Sequence, residues 1–422
     1  MKRLLAISIP IALLASVAAQ AQLLPPLPNV HLPQLPTDML DQPLERVTTL
    51  VDRTARVLDR TRLQRLTAFL HDNRATVAPD DRGFPAVRGE VLLTSPAPDD
   101  IARLADDGFA VIDDGTIPGL GLRTVRLATP KGMTLKKALK RARRIAGDRI
   151  SADNIHFRSG ERAAVAVSGV PTPSAAPTAT SRAPVGMIDG GVAASPLIPP
   201  RVTQHGFAAG APAPDPHATA MASLLIGEGK VRGADPGAHL FAADVYGRDP
   251  AGGGALAIAR ALGWMIENRV KVVAISLVGP KNALLGRAVA LAEDKGLTVV
   301  AAVGNDGPAA PPAYPASYPG VLAITGVDAD DKVLVEAGRA LHLDYAAPGA
   351  DLLAATPGSR AAPVRGTSFA TALAAGRLAA LTTADHAEAR RALDREAVDL
   401  GEKGPDSDYG RGLVCGSCAT RP

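Results

Sequence analysis

The chain has 422 residues, 46% hydrophobic and 21% charged, with 46 Lys and Arg against 42 Asp and Glu. Its 41 Gly and 36 Pro fall short of the about 25–30% that marks wholesale disorder. A net charge of +4 is too mild for a dedicated nucleic-acid face, 3% aromatic residues leave no base-stacking platform, and two cysteines cannot staple a chain of this length.

Residues 1–21 read as a signal peptide. Lys2 and Arg3 open it, Leu4 to Val17 is almost uninterruptedly apolar, and Ala19-Gln20-Ala21 is a small-x-small cleavage site. The competing reading, a membrane anchor, asks for about 20 apolar residues, more than this run supplies. An exported chain starting at Gln22 is expected, periplasmic or extracellular, with no transmembrane helix after signal removal. Residues 22–40 form a spacer whose prolines (Pro25, Pro26, Pro28, Pro33, Pro36) favour extended polyproline conformation. Within a helical segment of 41–85, Leu44, Val47, Val51 and Leu58 keep helical spacing, as do Leu63, Leu66 and Leu70. A break in phase near Arg60 predicts two helices.

Residues 86–160 form a separate small unit. Val91–Leu93 reads as a strand and Pro98–Gly108 as a helix capped by Asp99. Phe109–Ile112 and Leu122–Leu127 read as two strands, Thr134–Ala146 as a helix capped by Thr134, and Asn154–Phe157 as a closing strand. That order is the ferredoxin-like α+β arrangement. Lys136, Lys137, Lys140, Arg141, Arg143 and Arg144 on its second helix read as a solvated face. Residues 161–183 have linker composition, an easy place for proteolysis.

From Val185 on, strand patterns at Val185–Ile188, Leu240–Val245, Val272–Ser276, Val299–Val303 and Val321–Ile324 alternate with helical patterns. The helices fall at Thr219–Ile226, Ala255–Asn268 and Leu284–Lys295. Such alternation predicts an α/β fold, a parallel sheet with helices on both faces, with functional groups at the carboxyl ends of the strands. Asp189 ends the first strand. His217 sits in the first turn of a helix that Pro216 can open. Asn305 follows a strand in Gly-Asn-Asp-Gly, equally good as a turn and as an amide donor. Ser368 in Gly-Thr-Ser-Phe-Ala opens a small-residue helix, where backbone N–H groups favour developing negative charge. A hydroxyl there also serves as an ordinary helix cap. Cys415 and Cys418, in the tail 415–422, read as a local disulfide or free thiols, since no second pair completes a zinc site.

Taken in order, Asp189, His217, Asn305 and Ser368 resemble the site residues of the subtilisin-like serine proteases. So do Ala274 to Pro280, Tyr314-Pro315, Asp344 to Gly349 and the ending Asp408 to Val414. The resemblance covers about 184–414, taken as the catalytic domain. It implies a subtilisin-like fold and peptide-bond hydrolysis through an acyl-enzyme, with Ser368 as nucleophile, His217 as base and Asp189 orienting it. It further implies Asn305 in the oxyanion hole, and Ser276, Leu277, Val278, Gly279, Ala301, Ala302 and Gly304 binding substrate. No cofactor is needed for the chemistry and no metal residues are assigned; structural calcium is common in the family but has no placed site here. The 86–160 unit resembles, in element order, the propeptides of these enzymes. The implied partners are therefore peptide or protein substrates and the chain's own N-terminal pro-region, not nucleic acid, and a self-processing cut is expected between Val170 and Pro184. Departures from the family pattern are Ala218 after His217, Gly190 after Asp189, Val278 for a glycine, Ala372 for a proline and Phe369 for a methionine. They keep open a second reading, a catalytically impaired peptide-binding pseudo-enzyme of the cell envelope.

Overall fold

The computed structural model describes residues 44–159, 183–382, 386–418 and 420–421. The signal peptide, the 22–40 spacer and nearly all of the 161–183 linker lie outside the described residues.

Helix α1, Leu44–Asp72, runs unbroken for 29 residues in place of the two helices expected. The phase break is apparent only. Leu58, Thr61 and Phe69 are buried while Leu63 is half exposed, so the buried stripe continues through a threonine that the apolar count passes over. An Asp59–Arg62 ion pair at 2.8 Å and a bond from Thr61 Oγ1 to Val57 O at 2.9 Å span the supposed break. The end of the expected helical segment is instead a short hairpin, Val77–Pro79 against Pro85–Val87.

The small unit comprises β1 (Glu90–Thr94), α2 (Asp100–Asp106), β2 (Ala110–Ile117), β3 (Leu122–Ala128), α3 (Leu135–Ala146) and β4 (Ile150–Ser151). Its antiparallel sheet runs β2-β3-β1-β4. Thr134 caps α3 by accepting from Lys137 N. Asp99 makes no side-chain cap on α2; Asp100, one residue later, accepts from Ala97 N at 2.8 Å. Lys136, Lys137 and Lys140 are exposed, and Arg141 and Arg143 pair with Asp107 and Asp81, a solvated face. A further expectation is corrected. The closing strand is Ile150–Ser151, not Asn154–Phe157, and the chain beyond it leaves the unit as β5, Phe157–Arg158.

The larger unit carries β6 (Val185–Asp189), β7 (Val202–Gly206), α4 (Pro216–Ile226), β8 (Leu240–Asp244), α5 (Ala255–Glu267), β9 (Val272–Ile275) and β10 (Leu277–Val278). It continues with α6 (Ala283–Asp294), β11 (Thr298–Ala302), β12 (Leu322–Val327), β13 (Tyr345–Pro348), α7 (Thr367–Leu381) and α8 (His386–Glu396). Seven of its strands form one parallel sheet in the order β7-β8-β6-β9-β11-β12-β13. Alternation along each strand divides the core. Met187, Ala274, Val300 and Ile324 face α4 and α7, while Ile188, Val273, Ile275, Val299 and Ala301 face α5 and α6. Burial on both faces is why the central strands read as continuous apolar runs. The two outer strands carried no such signal: β7 is Val-Thr-Gln-His-Gly with its middle exposed, and β13 ends in a proline that only an edge strand tolerates.

Leu92, Ile117, Leu120 and Leu122 of the small unit share the core of α5 and α6. At this seam the Pro118-Gly119 turn meets Gly263 of α5 backbone to backbone, and a Cβ on Gly263 would lie 2.1 Å from Pro118 O. In the tail, Cys415 and Cys418 are joined as a disulfide. Among the described residues, no helix is long and apolar enough to cross a membrane.

Candidate active site

Parallel strands bring their carboxyl ends to one edge, and there the expected residues meet. Asp189, last residue of β6, is fully buried. Its Oδ2 lies 3.0 Å from Nδ1 of His217 in the first turn of α4, and its Oδ1 accepts from Gly190 N at 2.7 Å. Burial works against charge on both groups. The ion-pair contact outweighs it, holding the Asp189 carboxyl below its ordinary pKa of 3.8, helped by Arg158, and the His217 imidazole above its ordinary 6.5. His217 Nε2 is buried and has no hydrogen-bond partner among the described residues.

Ser368 is the second residue of α7 and fully buried. Its Oγ is not bonded to His217 but lies 3.0 Å from Ser159 Oγ. Asn305, after β11, accepts from Thr367 N through Oδ1 at 3.0 Å, which fixes the amide and leaves its Nδ2 buried without a partner among the described residues. A buried donor without an acceptor is costly. Here it lies at the N-terminus of the helix that carries Ser368, where an oxyanion would satisfy it.

The groove holds the chain's own residues. Strand β5 pairs antiparallel with β10, Arg158 opposite Leu277 and Phe157 opposite Val278. Ser159 N donates to Ser276 O at 2.8 Å. On the other side His156 N donates to Gly253 O at 2.8 Å. Gly279 packs so closely on His156 that a Cβ there would lie 2.5 Å from the imidazole ring. Helix α1 closes the groove from above: Leu58 packs on Gly307, Arg65 pairs with Asp306 and Phe69 meets Phe157 edge-to-face at 5.0 Å. A cavity of about 220 Å³ remains between α1 and the groove, lined among others by Leu58, Leu66, Val278, Gly304 and Ala313. Ala301 and Ala302 do not line it, because both are fully buried within the sheet.

The sequence profile of the Subtilase family matches residues 201–412, half of the chain, including His217, Asn305 and Ser368. The chain belongs to the subtilase family. Its members are serine-type endopeptidases that need no cofactor for catalysis. The chain is 36% identical over 197 residues to Subtilisin BL of Lederbergia lenta, 45% of this chain and 71% of that one. It is 31% identical over 207 residues to Minor extracellular protease Epr of Bacillus subtilis (strain 168), 47% of this chain and 32% of that one. Fervidolysin from Fervidobacterium pennivorans, a keratinolytic enzyme related to subtilisin, shares the fold with a TM-score of 0.61 at 18% identity, over 78% of this chain and 60% of its own. The chain thus spans less than two thirds of Epr and of fervidolysin. Asp189 lies ahead of the profile match, so its place in the subtilase site rests on its contact with His217.

The departures from the family pattern now have surroundings. Ala218 is buried in the core and its N–H donates to Asp215 Oδ1 at 2.9 Å, so its methyl packs inward. Phe369 is buried with its ring 5.5 Å from that of His217. A Cβ on Gly190 would lie 2.8 Å from Asp215 Cβ and 3.0 Å from the Arg158 guanidinium. Asp189, Asp215 and His217 bring ligand-type atoms within 4.8 Å of one another. They do not fit calcium, which takes six to eight oxygens, because Asp189 is committed to His217 and Arg158 lies between the carboxylates. Sequence reasoning passed over Arg158, Ser159, Asp215 and Tyr246. Only Asp215, just ahead of Pro216-His217, carried a local signal.

Proposed function

We propose that this subtilase is an exported endopeptidase made as a self-processing zymogen, cutting first the peptide bond that follows its own Ser159. The seat of Ser159, its N–H on Ser276 O at 2.8 Å and its Oγ 3.0 Å from Ser368 Oγ, carries this reading. The expected cut between Val170 and Pro184 falls almost wholly outside the described residues; the groove favours the earlier bond.

In the proposed reaction Ser368 Oγ attacks the substrate carbonyl carbon as its proton passes to His217 Nε2. Asp189 stabilises the imidazolium. Asn305 Nδ2 and the Ser368 N–H hold the oxyanion, a side-chain donor of this kind being worth roughly 10²–10³ in rate. Collapse expels the amine, which takes the proton from His217. Water then releases the acyl group by the same steps. In the described arrangement Ser368 must first exchange the Ser159 hydroxyl for His217. Residues 44–159 would act as the pro-region, with β5 filling the groove and α1 covering it.

The Ser159–Ser368 contact and the unpartnered Nε2 are also what a peptide-binding pseudo-enzyme would present. A fluorophosphonate probe on the purified full chain separates the two. The protease reading expects stoichiometric labelling that Ser368→Ala abolishes, and the absence of labelling at any stage of processing would establish the binding reading instead.

A further inference from the structure

Arg158 is the residue before Ser159. Were it merely a spacer between the small unit and the cut, its side chain would lie in solvent; instead it is 7% exposed. Its Nη2 lies 3.0 Å from Asp215 Oδ2 and its Nε 3.5 Å from Asp189 Oδ1. The guanidinium lies over the face of Tyr246 at 3.9 Å from the ring centroid, and Tyr246 is itself pinned by its hydroxyl donating to His156 O at 2.8 Å. A desolvated cation held by two carboxylates and an aromatic face is a built recess, not a chance surface contact. Asp244, which contributes to the field on Arg158, is anchored by the N–H groups of Ala213, Tyr246 and Gly247.

One sequence departure and one helix cap fit this recess together. Gly190 stands where the family often has a hydroxyl residue, and any Cβ there would collide with Asp215 and crowd the guanidinium. Asp215 is held in place because its Oδ1 caps α4 through Ala218 N, leaving Oδ2 for the cation. The recess belongs to the larger unit and its occupant to β5, the segment that leads out of the small unit, so what fills it now is a sample of what it accepts.

We infer that Asp215, with Asp189 and the face of Tyr246, forms an arginine-selecting subsite for the second residue on the acyl side of the scissile bond. Substrates of this protease are accordingly peptides with arginine immediately before the residue that is cut. A planar guanidinium uses both the carboxylate and the aromatic face, whereas an ammonium uses chiefly the charge. The inference rests on the proposed protease reading, and its test keeps the two apart.

One portion of the protein made as the full chain is assayed for fluorophosphonate labelling. A second, unlabelled portion is offered fluorogenic peptides ending Phe-Xaa-Ser before the reporter, with Xaa arginine, lysine or citrulline, the last a neutral copy of arginine. Arginine is expected to exceed citrulline in kcat/KM by at least about thirtyfold, the loss typical when one partner of a desolvated charge pair is removed. Lysine should fall between. Asp215→Asn, which keeps an oxygen for the α4 cap, should bring arginine and citrulline to within about threefold, and Tyr246→Leu should narrow the gap between arginine and lysine. If the first portion labels, then no arginine preference in the second, a preference that Asp215→Asn leaves intact, or no cleavage of these peptides overturns the subsite and leaves the nucleophile standing. Absence of both labelling and cleavage overturns the protease reading and the subsite with it.

Discussion

His217 is caught between burial, which favours its neutral form, and the Asp189 carboxylate, which favours its charged form and prevails. The base in the proposed reaction is the neutral imidazole, populated only above its pKa in the folded protein. Because that pKa is raised above 6.5, kcat/KM should climb with pH along a limb whose midpoint lies above 6.5. Arg158, by its positive charge, lowers the value, so release of the pro-region moves the limb further in the alkaline direction. A pH–rate profile with its midpoint at or below 6.5 would contradict this balance. Ser159 permits a second residue-scale prediction. Its hydroxyl holds the Ser368 Oγ at 3.0 Å in a contact that attack must break. A hydrogen bond of net worth about 0.5–1.5 kcal/mol implies that Ser159→Ala speeds self-processing roughly two- to tenfold, read from the time course of precursor loss. Slower or unchanged processing would mean that this contact positions the nucleophile and does not restrain it.

Among the elements, α5 is the docking surface for the small unit, and Gly263 is its tightest point. Alanine is the better helix former by about 1 kcal/mol, so Gly263→Ala would stabilise an isolated helix. In the docked chain its methyl would meet Pro118 O at 2.1 Å, and overpacking of this kind costs about 1–3 kcal/mol. In a Ser368→Ala background, where processing cannot intervene, Gly263→Ala is expected to lower the thermal midpoint of the precursor by several degrees; an unchanged or higher midpoint would place the seam elsewhere. The sequence was most legible where one constraint dominates. The doubly buried strands announced themselves by apolar runs, and Asp189, His217 and Ser368 by motifs at strand and helix ends. Legibility failed where a role depends on partners far away in sequence. Thr61 continues the buried stripe of α1 only because the groove lies beneath it. The strands Val202–Gly206 and Tyr345–Pro348 exist because a neighbour offers them hydrogen bonds. Asn154 to Ser159 has ordinary strand character, and its use as an occupant of the groove follows from register with Leu277 and Val278, which no local pattern encodes.

At the scale of the whole molecule, three separate pieces of the N-terminal region converge on the subtilase unit. The small sheet shares the core of α5 and α6, β5 fills the groove, and α1 covers it through Leu58 and Arg65. On the proposed reading these are one device, an inhibitor that is also the first substrate. The decisive comparison is the intact mass of every fragment of the purified full chain, beside Ser368→Ala prepared in the same way. An N-terminal fragment ending at Ser159 is expected from the wild type and no such fragment from Ser368→Ala. A wild-type chain left whole, a first cut at another bond, or the same fragment from the Ser368→Ala chain would contradict it.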